Sequence, residues 1–353
     1  MPTSRSINPT SELPRYGIGR DSLVLFKDKA NHTQIDYLDL IEPQGPSADR
    51  LIRPDGVVEN QDRPLLFFVN EGKLAEPPDE QQRQIHDLRR ALACRGDRAY
   101  LAIIRPGTMD VIPVSLKDQT PDWKPFPVNA DSPDAITFFS RLAMGTFEEL
   151  PASGEVDYLF KEIFTLVDSA STSLAKLNVK RTDVISLVGR VLFFRFLRDR
   201  GIIKKENTRK IAPRAASLEH CFDDAENTAA TCRWLDKTFN GDFLPLTDDG
   251  STEFFDAKGK ATGQKLFHHL KHILKGDEAT GGDDYQGRLN FEPTKFDWGH
   301  LDFAHIPVGL LSQVYEKLSW KWNRERSQNT SVHYTPRNIA ATLVGEAFDN
   351  LKN

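Results

Sequence analysis

Between Leu23 and Leu116 the apolar residues fall in short runs of strand length, broken by Gly, Pro, Asn and Asp. The pattern predicts strands at Leu23 to Phe26, Ile35 to Leu40, Gly56 to Glu59, Pro64 to Val69, Tyr100 to Arg105 and Met109 to Val114. Pro106-Gly107-Thr108 joins the last two as a hairpin. Ile85, Leu88 and Leu92 recur at helical spacing, so a helix is expected over Glu80 to Cys94, closed by Arg95-Gly96-Asp97. The proline-rich stretch Lys117 to Pro133 reads as a linker. Beyond it the apolar period lengthens from two to about 3.6. Val156, Leu159, Phe160, Ile163, Phe164 and Val167 make one helical stripe, and Val184 to Leu197 a thicker one that starts at Thr182-Asp183 and stops at Gly201. Further helices are expected at Ala225 to Phe239, Gly263 to Leu274, Pro307 to Leu318 and Pro336 to Leu351, with an exposed loop over Lys275 to Asn290.

The fold class is therefore α+β: an N-terminal mixed β-sheet domain with packed helices, followed by a mainly α-helical domain. The expected division is residues 1–128 for the sheet, 129–330 for a helical connector and 331–353 for the first helix of a further domain. Apolar residues at 39% and charged residues at 27% belong to an ordinary globular chain. The N-terminus is polar and no apolar run reaches the roughly 18 residues of a membrane span, so no membrane partner and a cytoplasmic location are expected. Cys94, Cys221 and Cys232 are too few and too scattered for a disulfide framework or a metal knuckle, and read as free buried thiols.

The formal charge of -5 hides a basic stretch. Residues 180–214 hold Arg190, Arg195, Arg198, Lys204 and Lys205 among eleven cations, against Asp183, Asp199 and Glu206. Two readings stand open: a stripe facing the phosphates of double-stranded DNA, or a solvated helical face. Arg195 and Arg198 also admit a third place, packed inside the helical domain.

Four segments of the helical half carry a resemblance. They are Leu187 to Gly201, a long helix ending in Arg-Gly; Phe239-Asn240-Gly241-Asp242; Ile306-Pro307-Val308; and Val332-His333-Tyr334-Thr335-Pro336-Arg337. In order and spacing they resemble the region ahead of the catalytic domain in type IIG restriction-modification enzymes and related adenine-N6 DNA methyltransferases. The resemblance implies that Tyr334, Thr335 and Pro336 open a helix beside bound S-adenosylmethionine, Pro336 at the first helical position needing no donor. It also implies a role in restriction, modification or phage defence, docking to a specificity or defence-system subunit, and a longer parent. The Gly-rich cofactor loop and the Asn-Pro-Pro-Tyr or Asp-Pro-Pro-Tyr turn that would hold an extruded adenine do not occur before Asn353, so the chain as given is not expected to methylate DNA.

Type IIG enzymes often place a nuclease ahead of the connector. Pro54-Asp55 opens a candidate strand, Asn60 to Arg63 turns the chain, and the returning strand reaches Glu71-Gly72-Lys73. This resembles the Asp…Glu-x-Lys pattern of PD-(D/E)xK nucleases, which implies Asp55 and Glu71 as Mg²⁺ ligands and Lys73 as the residue that orients the nucleophile or neutralises charge. Two residues apart on a strand, Glu71 and Lys73 would project from one face. An inactive domain of that fold, or an ordinary turn and polar strand exit, fits the same residues. Gln81, Gln82 and Gln84 follow on the next helix as a solvated face. His268, His269 and His272 have metal-binding spacing without a completing partner, and Trp234, Trp298, Trp320 and Trp322 read mainly as core anchors.

Overall fold

The computed structural model describes residues 7–27, 32–116, 124–146, 156–239, 244–275 and 298–322. It is a mixed α and β structure in two compact units, the first drawing on Met1–Lys161, Phe194–Lys205 and Gly276–Ile306, the second on Glu162–Phe193, Glu206–Lys275 and Pro307–Asn353. The division expected at residue 128 falls inside the first unit. The chain leaves the first unit after Lys161 and returns to it twice, and the expected third part, 331–353, lies outside the described residues.

The first unit contains α1 (Pro9–Glu12), β1 (Leu23–Leu25), α2 (Leu38–Ile41), β2 (Gly56–Asn60), β3 (Arg63–Asn70), α3 (Pro78–Cys94), β4 (Tyr100–Arg105), β5 (Thr108–Pro113), β6 (Phe126–Asn129) and α4 (Pro133–Met144). The six strands lie in sequence order, every neighbouring pair antiparallel except β3 with β4. That parallel pair requires a crossover, and α3 supplies it. Pro78 begins α3 where no donor is needed, Asp79 and Glu80 favour its positive end, and Gly96 at φ 74° lies just beyond it. The β2–β3 hairpin turns on Gln61 and Asp62, both in the left-handed region, as a two-residue hairpin loop demands. The β4–β5 turn uses Pro106 and Gly107 (φ 77°).

Residues paired across the ladders share a face. Val58, Leu66, Phe68, Ala102, Ile104, Met109 and Val111 form one core with Leu13, Tyr16, Phe138 and Leu142. Val57, Phe67, Val69, Leu101, Ile103 and Ile112 form the opposite face, equally buried. Each fully buried phenylalanine contributes roughly 1.5–3 kcal/mol.

Two expectations are corrected here. Ile35 to Leu40 is not a strand: a 3-10 turn (His32–Tyr37) runs into α2, because the buried residues Tyr37, Leu40 and Ile41 follow helical spacing, while Ile35 is exposed. The supposed linker contains β6, whose Pro127 is tolerated on the last strand of the sheet. It is followed by α4, capped by Ser132, whose Oγ accepts the Ala135 N–H at 3.1 Å.

The second unit is helical, with α5 (Val156–Lys176) from Glu162 on, the first part of α6 (Arg181–Asp199), α7 (Thr208–Ile211), α8 (Ala225–Phe239), α9 (Thr252–Thr262), α10 (Lys265–Lys275) and α11 (Val308–Trp322). α6 is buried almost all round, as its apolar residues on every side require. A Cβ on Gly189 would stand 2.9 Å from the Tyr315 ring, so glycine is needed for that approach. Gly263 ends α9 at φ 56°, so the helix expected from Gly263 begins two residues later as α10. Among the described residues no helix is long and apolar enough to cross a membrane.

Candidate functional site

The hairpin carboxylate and lysine come together at one end of the sheet, beyond the carboxyl ends of the parallel strands β3 and β4. Asp55 precedes β2 and is held by its own backbone: its N–H donates to Phe68 O at 2.8 Å, and its carbonyl accepts from Phe26 N at 2.9 Å. Its carboxylate Oδ2 accepts the Asn70 N–H at 2.6 Å, and Oδ1 lies 2.6 Å from Lys73 Nζ. The Asp55 side chain is 14% exposed and that of Lys73 47%.

Glu71 and Lys73 do not share a strand face. β3 ends at Asn70, and Glu71–Lys73 form a 3-10 turn, in which residues two apart point in different directions. Lys73 therefore turns to Asp55, whereas Glu71 Oε1 meets Arg105 Nε at 2.5 Å. Arg105, at the end of β4, also pairs with Asp110 of β5. Burial would lower the Arg105 pKa, but hydrogen bonds to Glu71 and Asp110 outweigh it and hold the guanidinium firmly protonated. The result is two groups of opposite charge, Lys73 with Asp55 and Arg105 with Glu71 and Asp110. Gln84 on α3 accepts the Ala75 N–H at 2.8 Å and so tethers the loop that follows Lys73.

Two carboxylates such as Asp55 and Glu71 are donors that a hard divalent cation of the Mg²⁺ type would take, with water or phosphate oxygens in its remaining positions; here each is paired with a basic side chain. Among the described residues no group of three or more His, Cys, Asp or Glu is placed to hold a metal, and the α10 histidines form none. His269 is partly buried and pushed down to about 4, chiefly by desolvation.

The basic stretch divides. Arg190, Arg195 and Arg198 are buried, which corrects the expectation that they face DNA. Arg190 donates through Nε and Nη2 to Leu244 O (3.0 and 2.6 Å) and through Nη1 to Cys232 O (3.2 Å), with Asp236 at 2.7 Å. Arg195 donates to the carbonyls of Trp298 (2.8 Å) and Leu301 (3.1 Å), lies over the Phe303 ring at 4.5 Å and faces Asp199. Arg198 pairs with Asp199 at 2.7 Å. Their charge serves internal acceptors, so they cannot reach a phosphate. Lys204 and Lys205 are exposed.

Sequence reasoning missed a buried group in the first unit. Arg95 pairs with Asp39 and with Asp97 (2.8 Å) and lies 5.9 Å from the centre of the Phe67 ring, while His305 Nδ1 stands 2.8 Å from Asp39 Oδ2. Burial works to raise the Asp39 pKa, but Arg95 and His305 overcome it and hold the carboxyl below its usual range. In the sequence Arg95 stands out only as part of a helix stop. The three cysteines are free and buried, and desolvation pushes each thiol up to about 12. Trp298 is buried as expected of a core anchor, whereas Trp320 is exposed. Tyr334, Thr335 and Pro336, and the loop residues Asn240 to Asp242, lie outside the described residues.

No family model matches the chain, and no curated protein or solved structure shows significant similarity to it.

Proposed function

We propose that the first unit is a nuclease-like domain of the PD-(D/E)xK type and that the chain serves a DNA restriction-modification or phage-defence protein of the adenine-N6 methyltransferase family. The observation that carries this reading is the contact of Lys73 Nζ with Asp55 Oδ1 at 2.6 Å, with Glu71 leaving the same strand end. It joins two residues of the Asp…Glu-x-Lys pattern at the carboxyl end of a parallel strand pair, and Glu71 lies on the same turn as Lys73. Asp55 and Glu71 would hold a divalent cation, which would supply Lewis acidity to a phosphodiester. Lys73 would neutralise charge on the phosphate, and the exposed Lys204 and Lys205 would face the phosphates of a duplex. The methyltransferase part of the reading, with S-adenosylmethionine beside Tyr334, Thr335 and Pro336, is supported by the four ordered sequence segments.

The test is Mg²⁺-dependent nicking of supercoiled plasmid by the chain, compared with Glu71→Ala and Lys73→Ala. Nicking by the parent chain and none by either variant is expected. Equal nicking by all three, or by none, removes the nuclease assignment.

A second reading is favoured by one observation: Asp55 and Glu71 each already hold a cationic side chain. In that case the domain is a degenerate nuclease fold that binds DNA or docks a subunit. It predicts salt-sensitive duplex binding without cleavage.

A further inference from the structure

We propose that Lys73 is the resting counter-ion of the cation site: its ammonium holds Asp55 while no metal is bound and leaves when a divalent cation binds. The inference rests on the nuclease reading and adds to it an exchange built into the β2–β3 hairpin. Asp55 is largely buried, and a buried carboxylate left without a positive partner is costly. One of its oxygens is committed to a donor that cannot leave cheaply, because the Asn70 N–H belongs to the end of β3. The other is held only by the tip of a long side chain from a half-exposed turn. Lys73 can withdraw toward solvent by rotating its own bonds, with no change in the ladder.

The second cation is held differently. Arg105 grips Asp110 as well as Glu71, and both the strand that carries it and its neighbour are fixed by pairing. Glu71, 43% exposed, can turn from Arg105 toward a cation while Arg105 keeps Asp110. The two anions therefore need not wait unpaired for metal, and only one cation has to move.

Two measurements on the full chain test this. In calorimetric titration with MnCl2, Lys73→Gln is expected to bind Mn²⁺ about three- to fivefold more tightly than the parent, since a partly exposed competing ion pair has been removed. In acetylation footprinting read by mass spectrometry, saturating MgCl2 is expected to raise labelling of Lys73 in the parent chain by about threefold or more, as expected when such an ion pair opens. In Asp55→Asn, Lys73 should label fast with or without Mg²⁺. Parent-chain binding of Mn²⁺ with the same Kd in Lys73→Gln, and labelling unmoved by Mg²⁺, would overturn the exchange and leave the nuclease reading standing. Absence of Mn²⁺ binding in both proteins overturns both.

Discussion

His305 Nδ1 lies 2.8 Å from Asp39 Oδ2 across 266 residues of sequence, and the same carboxylate pairs with Arg95. Removing Arg95 would strand a buried anion. Arg95→Met is expected to lower unfolding stability by about 3–5 kcal/mol, the usual cost of breaking a buried pair from one side. Urea denaturation followed by circular dichroism measures it, and a decrease below about 1 kcal/mol would contradict the buried pairing.

Asp39 also sets a pH dependence. Its folded pKa is depressed, so the stability it contributes is fully present above the ordinary carboxylate value of about 3.9 and disappears as pH falls through the lower folded value. Thermal melts of the parent chain and Asp39→Asn between pH 6 and pH 2.5 should show the gap between them closing below pH 4. A gap that stays constant with pH would rule out this titration.

Arg195 separates an interior role from a DNA-binding one. Charge reversal, Arg195→Glu, removes two hydrogen bonds to carbonyls and places an anion beside Asp199, so it should unfold or severely destabilise the protein, by about 3–5 kcal/mol or more. Lys204→Glu with Lys205→Glu, at exposed positions where an ion pair contributes about 1 kcal/mol or less, should lower the melting temperature far less than Arg195→Glu. If the chain binds duplex DNA there, the double variant lowers the salt-dependence slope by about 0.9 for each phosphate it no longer neutralises. Melting curves and binding isotherms at several salt concentrations read both effects.

Gly189→Ala is expected to cost about 1–3 kcal/mol through collision with the Tyr315 ring. A melting temperature equal to that of the parent would show that the ring yields freely.

Native protein at pH 8 should react slowly with a thiol-specific disulfide reagent at all three cysteines, because the thiols are buried and pushed up to about 12. Reaction should become rapid in denaturant. Fast labelling of any one thiol in the native state would place it at the surface.

The sheet is legible in the sequence wherever strand chemistry is local. β4 matches its expected ends because Pro106 and Gly107 mark one of them, and β2 and β3 follow from an apolar run on either side of a short polar turn. Asp55 and Lys73 can be paired from sequence for the same reason: a hairpin brings its two ends together. Arg105 cannot, because it reaches Glu71 through the parallel β3–β4 pairing, which no local pattern announces. The place of Arg195 is hidden in a similar way. Its acceptors, Trp298 and Leu301, lie more than 100 residues away, so counting charge along α6 cannot separate a surface stripe from an interior fork. Prolines mislead at β6 and α4, where Pro127 stands on an outer strand and Pro133 begins a helix behind Ser132.

The return of the chain to its first unit has a consequence during synthesis. At roughly 5–20 residues per second, Asp39 leaves the ribosome roughly 10–50 s before His305 is made. For that interval the nascent first unit holds Asp39 and Arg95 without their third partner, and without the Trp298 and Leu301 carbonyls that receive Arg195. Its completion waits on translation of the helical segments between them, so a ribosome stalled within α8 to α10 would hold a first unit that still lacks His305.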